Sequence, residues 1–242
     1  MGCIKLLKEA KVSIFMKKNE INNFIINYIC PFIKGYSVYQ NIIYKLTEDG
    51  FFIKGYHFYA KGESEVGLNV HSFILPLYVK DDRISFMFAE ELYYYKKISV
   101  LKKIKMVWWD NRKENQEASF EFIKEAILKQ GEVFLGAINT PEDFYKKFKS
   151  EIKDNVNTYL AVAYSTVLFG NEELQNKFIK GLIDFCSKEI SNYTHREFEA
   201  QIKQDATLLF DARTTEKRML ILRDWASETI TNLKLPKLKL FV

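Results

Sequence analysis

The chain is 242 residues long, with 48% hydrophobic and 28% charged residues, the proportions of an ordinary globular protein. These values exclude a disordered, collagen-like or low-complexity chain. Lys+Arg 36 against Asp+Glu 31 leaves a net charge of +5, short of the excess that by itself marks a nucleic-acid-binding protein. Ten Gly and four Pro are about half of average usage, so loops are expected to be few and short. Phe 20, Tyr 14 and Trp 3 supply an abundance of rings for a core.

The chain holds 30 Lys against 6 Arg, the bias of an AT-rich bacterial genome. Cys3, Cys30 and Cys186 are odd in number, widely spaced and without a C-x-x-C pair, so free thiols in a reducing cytoplasm are expected. No apolar run approaches the 18 residues of a membrane span, and no membrane partner is expected. Lys8, Glu9 and Lys11 interrupt the start where a signal peptide needs an unbroken apolar stretch. Gly2-Cys3 has the start of a lipid-anchor motif, but Leu6 stands where that motif has Ser or Thr. Residues 1–15 are read as a peripheral segment.

Ile21, Phe24, Ile25, Tyr28, Ile29 and Phe32 recur at helical spacing up to Pro31-Phe32-Ile33, where proline should kink or end the helix. A second helix is predicted from the capping-box pattern Ser37-Val38-Tyr39-Gln40, with Tyr39, Ile42, Ile43 and Leu46 as its stripe and Asp49-Gly50 as its close. From Phe51 the period becomes two. Residues 51–59, 66–76 and 84–88 read as three antiparallel strands, turned at Lys61–Ser64 and Asp81–Arg83, and 98–109 as a fourth. After Asn115 the pattern is helical, with Phe120, Ile123 and Ile127 on one face and Gly131 as the stop. Thr140-Pro141-Glu142-Asp143 is a strong helix start. Helices are predicted at about 141–153, 156–169, 172–192, 195–211 and 215–233, with a capping box at Thr194-His195-Arg196-Glu197. Residues 163–182 read as an ordinary helix pair with Ala163 at the close approach; no 34-residue repeat recurs.

These elements give an α+β fold: a small antiparallel sheet with flanking helices, followed by a C-terminal helical bundle. Residues 16–135 form the α/β half with its meander, and 136–242 the all-helical half with a short basic tail. The soft boundary lies near 131–139.

Catalytic signatures are missing: the sequence has no G-x-G-x-x-G, P-loop, G-x-S-x-G or H-E-x-x-H, and neither a cofactor nor a metal site is expected. His57 and His71 would share a sheet face if their strands are neighbours, as a weak catalytic pair. Glu90, beside Glu91 after the third strand, is a weak general acid–base candidate, though a solvated helix start explains the pair better. Residues 93–113 hold seven cations (Lys96, Lys97, Lys102, Lys103, Lys105, Arg112, Lys113) against Asp110, a net of 7 − 1 = +6. Among them stand Tyr93, Tyr94, Tyr95, Trp108 and Trp109. Cations beside rings suit a single-stranded nucleic-acid groove, with Lys102, Lys103, Lys105 and Arg112 as its contacts. A strand with Lys103 and Lys105 facing water and Val100, Ile104 and Trp108 facing the core is the simpler explanation. The same rings, with Leu238 and Leu240 of the tail, would serve a protein interface.

KLTEDGFFIKGYHFYA (45–60) and VHSFILPLYVKDDRISFMFAEEL (70–92) resemble an uncharacterised bacterial α+β family, one of the domains of unknown function; LRDWASETITNLKL (222–235) resembles the closing helix of related hypothetical proteins. The resemblance implies a bacterial cytoplasmic protein and carries over no catalytic residues. Some such families look like immunity proteins encoded beside toxins. The leading expectation is therefore a non-enzymatic bacterial cytoplasmic protein-interaction module, with an immunity-type protein as one form of it. A nucleic-acid-binding protein using 93–113 is the alternative, and an enzyme around His57 and His71 the third reading.

Overall fold

The structure, a computed structural model, describes residues 18–61, 67–97, 103–106, 109–110, 115–189 and 196–235. The expected peripheral segment, the Thr194-His195 cap, Trp108, Lys102, Arg112 and the tail with Leu238 and Leu240 lie outside them. Contacts among the described residues form two compact units. The first gathers the chain up to Lys45, Gly55–Phe73 and Ala89–Phe134; the second gathers Leu46–Lys54, Ile74–Phe88 and the chain from Leu135 on.

In the first unit α1 (Lys18–Phe24) runs into a π-helical turn at Ile25–Ile29 and ends before Pro31, whose fixed ring and missing N–H stop a helix. The helix predicted from Ser37 is instead a hairpin: β1 (Ser37–Tyr39) and β2 (Ile42–Leu46) pair antiparallel with Tyr39 opposite Ile42. Gln40 takes the left-handed turn position at φ 53°. The spacing 39, 42, 43, 46 fits a helical stripe, but the β-branched Val38, Ile42 and Ile43 prefer the pleat. Gly55 of the next strand then lets the β2 backbone approach; a Cβ there would run into Ile43 O and Tyr44 Cα.

β3 (Phe52–Lys61) and β4 (Gly67–Pro76) follow the alternating pattern. The third strand, expected over 84–88, begins only at Phe88, as β5 (Phe88–Glu91). Leu77 and Tyr78 are fully buried, so the chain continues into the core after β4 and returns to the sheet late. Glu90 and Glu91 therefore lie in a strand and do not start a helix. The sheet order is β1-β2-β3-β4-β5, and β8 (Trp109–Asp110) also pairs with β4, Leu68 opposite Trp109. The predicted fourth strand is thus divided. Its earlier part, β7 (Lys103–Met106), joins β6 (Tyr94–Lys97) in a separate two-stranded antiparallel sheet.

α2 (Gln116–Ala126) passes through a π-helical turn at Ile127–Gly131 into α3 (Glu132–Gly136). Gly131 does not stop this run. Its role is room: a Cβ there would run into the ring of Tyr56. The Tyr56 hydroxyl donates to Glu132 Oε1 at 2.7 Å, and the Tyr36 hydroxyl to the same oxygen at 3.2 Å.

The second unit holds α4 (Pro141–Phe148) with a 3-10 extension (Lys149–Asp154), α5 (Val156–Phe169), α6 (Glu172–Glu189), α7 (Arg196–Asp211) and α8 (Thr215–Leu233), close to their predicted bounds. Their starts have chemical causes. Thr140 Oγ1 accepts from Asp143 N–H and the Asp143 carboxylate accepts from Thr140 N–H, a reciprocal capping box. Asn155 Oδ1 accepts from Asn157 and Thr158, and Thr214 Oγ1 from Lys217. α5 is apolar on nearly every side and buried accordingly, with α4, α6 and α8 packed on it. Gly181 of α6 gives room to the Tyr159 hydroxyl. Phe52, Phe88, Phe144 and Phe148 make one aromatic core, with ring centroids 4.8–5.5 Å apart.

Two buried cations close helix ends in this unit. Lys54 Nζ donates to Leu135 O at 2.9 Å and Asn139 Oδ1 at 3.0 Å. Arg218, 2% exposed, donates to Leu209 O (2.9 Å), Phe210 O (3.3 Å), Gln175 Oε1 (3.0 Å) and Asn176 Oδ1 (2.7 Å). Both set positive charge on the last carbonyls of a helix, where the dipole is negative. The architecture is α+β: a small antiparallel sheet with helices, followed by C-terminal helices. Among the described residues no helix is long and apolar enough to cross a membrane.

Candidate interaction surface and the histidine cluster

The basic-aromatic segment forms its own sheet because β6 and β7 pair over four residues, Tyr94 with Met106, Tyr95 with Lys105, Lys96 with Ile104 and Lys97 with Lys103. Cross-strand partners share a face and neighbours along a strand alternate. Tyr94, Lys96, Ile104 and Met106 therefore lie on one face, and Tyr95, Lys103 and Lys105 on the other. Tyr94 is held between Trp109 (5.7 Å) and Phe122 of α2 (4.9 Å), both nearly parallel to it. Burial, and then Asp110, pushes its phenol pKa up. Trp109 itself is buried, so it anchors this stack and offers no contact surface. Gln130 fixes the start of β6: it accepts from Tyr93 N at 3.1 Å and donates to Tyr93 O at 2.6 Å.

On the other face Tyr93 and Tyr95 meet edge to face at 5.5 Å, and the Lys105 ammonium lies 4.0 Å above the Tyr93 ring. Tyr95 is 58% exposed, and Lys103 and Lys105 are exposed. Ile104, expected to face the core, is also exposed.

The run from α2 to α3 adds surface that the sequence did not signal. Phe122 is 44% exposed, Leu128 51% and Val133 66%. Phe122 and Leu128 line a groove of about 390 Å³ with Glu121, Lys124, Glu125 and Lys129 at its sides. The charged residues are paired with each other, Lys129 to Glu125 at 2.6 Å and Lys124 to Glu121 at 3.7 Å.

The histidines do share one neighbourhood, but they meet through Tyr59. Asn41 Nδ2 donates to Phe58 O (2.7 Å) and faces His57 Nε2 (2.9 Å). Its carbonyl oxygen cannot face Phe58 O, so the amide donates to both, and His57 carries its proton on Nδ1. Burial, and then the like charge of His71, lowers the His57 pKa to about 4, so this ring is neutral at ordinary pH. His57 stacks on Tyr59 at 5.3 Å. The Tyr59 hydroxyl, its pKa raised by burial and then Glu91, shares a hydrogen bond with His71 Nε2 at 3.0 Å. Glu91 Oε1 lies 3.8 Å from that nitrogen and accepts from Asn69 Nδ2 at 2.7 Å. Asn69 is fully buried, and its Oδ1 has no hydrogen-bond partner among the described residues.

Tyr59, Asn69, Asn41 and Glu91 were not singled out by sequence reasoning, although the two-residue spacings His57-x-Tyr59 and Asn69-x-His71 place each pair on one face. Glu90 does not join them; its backbone oxygen accepts from Ser72 Oγ at 3.3 Å, while its exposed side chain alternates away from Glu91. Among the described residues no group of three or more His, Cys, Asp or Glu is placed to hold a metal ion.

No family model, no curated protein and no solved structure matches this chain.

Proposed function

We propose that the chain is a protein-interaction module that docks a partner on the α2–α3 face, over Phe122 and Leu128. One observation carries this reading: large apolar side chains stand exposed along a single helical run, bordered by lysines and glutamates. An apolar centre inside a polar rim is the anatomy of a protein interface, and contiguous exposed apolar groups signal such sites. Tyr94 backs Phe122 with a stacked ring, so the surface is held rigid before binding and loses little side-chain entropy there. An immunity-type role, the kind that some families resembling segments 45–60 and 70–92 look to have, is one form of such docking.

The test places a photo-crosslinking amino acid at Leu128, and at Glu216 as an exposed control, in the intact protein within its host. One discrete adduct is expected from position 128, lost when Phe122→Asp is added, and none from 216. An adduct pattern shared by both positions, or none from 128, rejects the docking surface.

A further inference from the structure

We infer that the Tyr95–Lys105 face of the β6–β7 hairpin binds single-stranded nucleic acid, a role separate from the protein docking proposed for α2–α3. The argument begins with charge. The strands read YYKK and KIKM, so neither contributes a carboxylate, and the register sets Tyr95 opposite Lys105. Lys103 and Lys105 lie two residues apart on one pleated face, about 6.8 Å. That is of the order of the separation between successive phosphates in an extended single strand.

The rings have a matching arrangement. Lys105 covers Tyr93 at 4.0 Å and Tyr93 braces Tyr95 edge-on at 5.5 Å, which leaves the exposed Tyr95 ring as a platform beside the cations. A base stacks on such a ring whatever its identity, while lysines take the backbone charge. An acidic protein would use the lysines but has no need of an exposed ring beside them, so the ring separates the two classes of partner. A duplex would hide its base faces within its own stack and leave Tyr95 unused.

The experiment measures fluorescence anisotropy of labelled dT20 and rU20 with the intact protein at low salt, and uses poly-glutamate as a polyanion without bases. Binding is expected with a slope of log K against log salt near −1.4, from two phosphates at about −0.7 each. Tyr95→Ala should weaken it roughly 5- to 150-fold, the range of one lost base stack, and Tyr95→Trp should restore it. The double substitution Lys103→Glu with Lys105→Glu should abolish binding, and Lys217→Glu, an equal kind of charge change elsewhere, should not. Leu128→Asp, on the docking groove, should leave it intact, so failure here is distinguishable from failure of the docking surface. Poly-glutamate binding as well as dT20 with Tyr95→Ala without effect would show a plain cation patch and overturn the inference. Absence of binding to either oligonucleotide at low salt would overturn it as well.

Discussion

In the helical unit Arg218 and Lys54 are sealed from solvent and donate to helix-end carbonyls, whereas in the sheet unit His57, Tyr59 and His71 remain only partly buried and Glu91 is exposed. The difference shows two uses of a buried polar group. A cation that closes a helix holds several oxygens at once, so removing it weakens several hydrogen bonds together. A half-buried imidazole instead trades hydrogen bonds with neighbours and solvent, and its contribution varies smoothly with pH. The first unit should therefore respond to pH, and the second to truncation.

The aromatic core of the helical unit sets the largest expected loss. Phe144→Ala removes a fully buried ring in contact with Phe52, Phe88 and Phe148, and should cost about 3–5 kcal/mol in denaturant titration. A loss near 1 kcal/mol would show that the cluster closes over the gap. Next comes Arg218→Met, which withdraws the guanidinium from two main-chain and two side-chain oxygens, of which Phe210 O and Gln175 Oε1 keep a longer bond from Arg213 N–H and Thr215 Oγ1; about 2–4 kcal/mol is expected. Arg218→Lys should recover only part of it, because an ammonium cannot span all four acceptors.

For the sheet unit the sign follows from linkage. The unfolded chain protonates its histidine near pH 6.5, but folded His57 takes a proton only near pH 4. Between these values the unfolded state binds more protons, so stability is full above pH 6.5 and falls as pH drops toward 4. After allowance for solvent at the half-buried ring the loss is about 1–2 kcal/mol. Thermal melts across this window should lose that slope in His57→Gln; an unchanged slope would assign it to other groups. The smallest effect is Thr140→Ala, about 1 kcal/mol for one helix cap, read by the denaturation midpoint.

The same contrast explains what the sequence made legible. The helices from Pro141 onward have local causes: Thr140, Asn155 and Thr214 each cap a helix from within a few residues, and α5 announces its burial by composition. The β1–β2 hairpin is not legible because Tyr39, Ile42, Ile43 and Leu46 fit a helical stripe, and the deciding contact is Gly55, eleven and twelve residues beyond the Tyr44 and Ile43 backbone it meets. Gly131 looked like a stop for the same reason, since its purpose is the ring of Tyr56. In the candidate sites the lysines and histidines were visible as residue types. The exposure of Phe122 and Leu128, and the link through Tyr59 to Glu91, depend on which element covers which, and no local pattern carries that.

The π-helical turn at Ile127–Gly131, where Glu132 N–H reaches back five residues to Ile127 O, amounts to one residue more than an α-helix would hold. It behaves as a phase shifter. At 3.6 residues per turn, one residue is about 100° of rotation, so everything after the turn faces a direction the α2 periodicity would not assign. Glu132 reaches the two tyrosine hydroxyls in that shifted frame, while Phe122 keeps the original one and stays outside. Shortening the turn by a residue would restore a regular helix with better local geometry, yet it would swing Glu132 away from Tyr36 and Tyr56 and bring a side chain toward Tyr56 where Gly131 now leaves room. The chain is therefore less tolerant of length change at this point than of most changes of residue type, and its exposed face and the half-buried Glu132 are kept in register by a single surplus peptide.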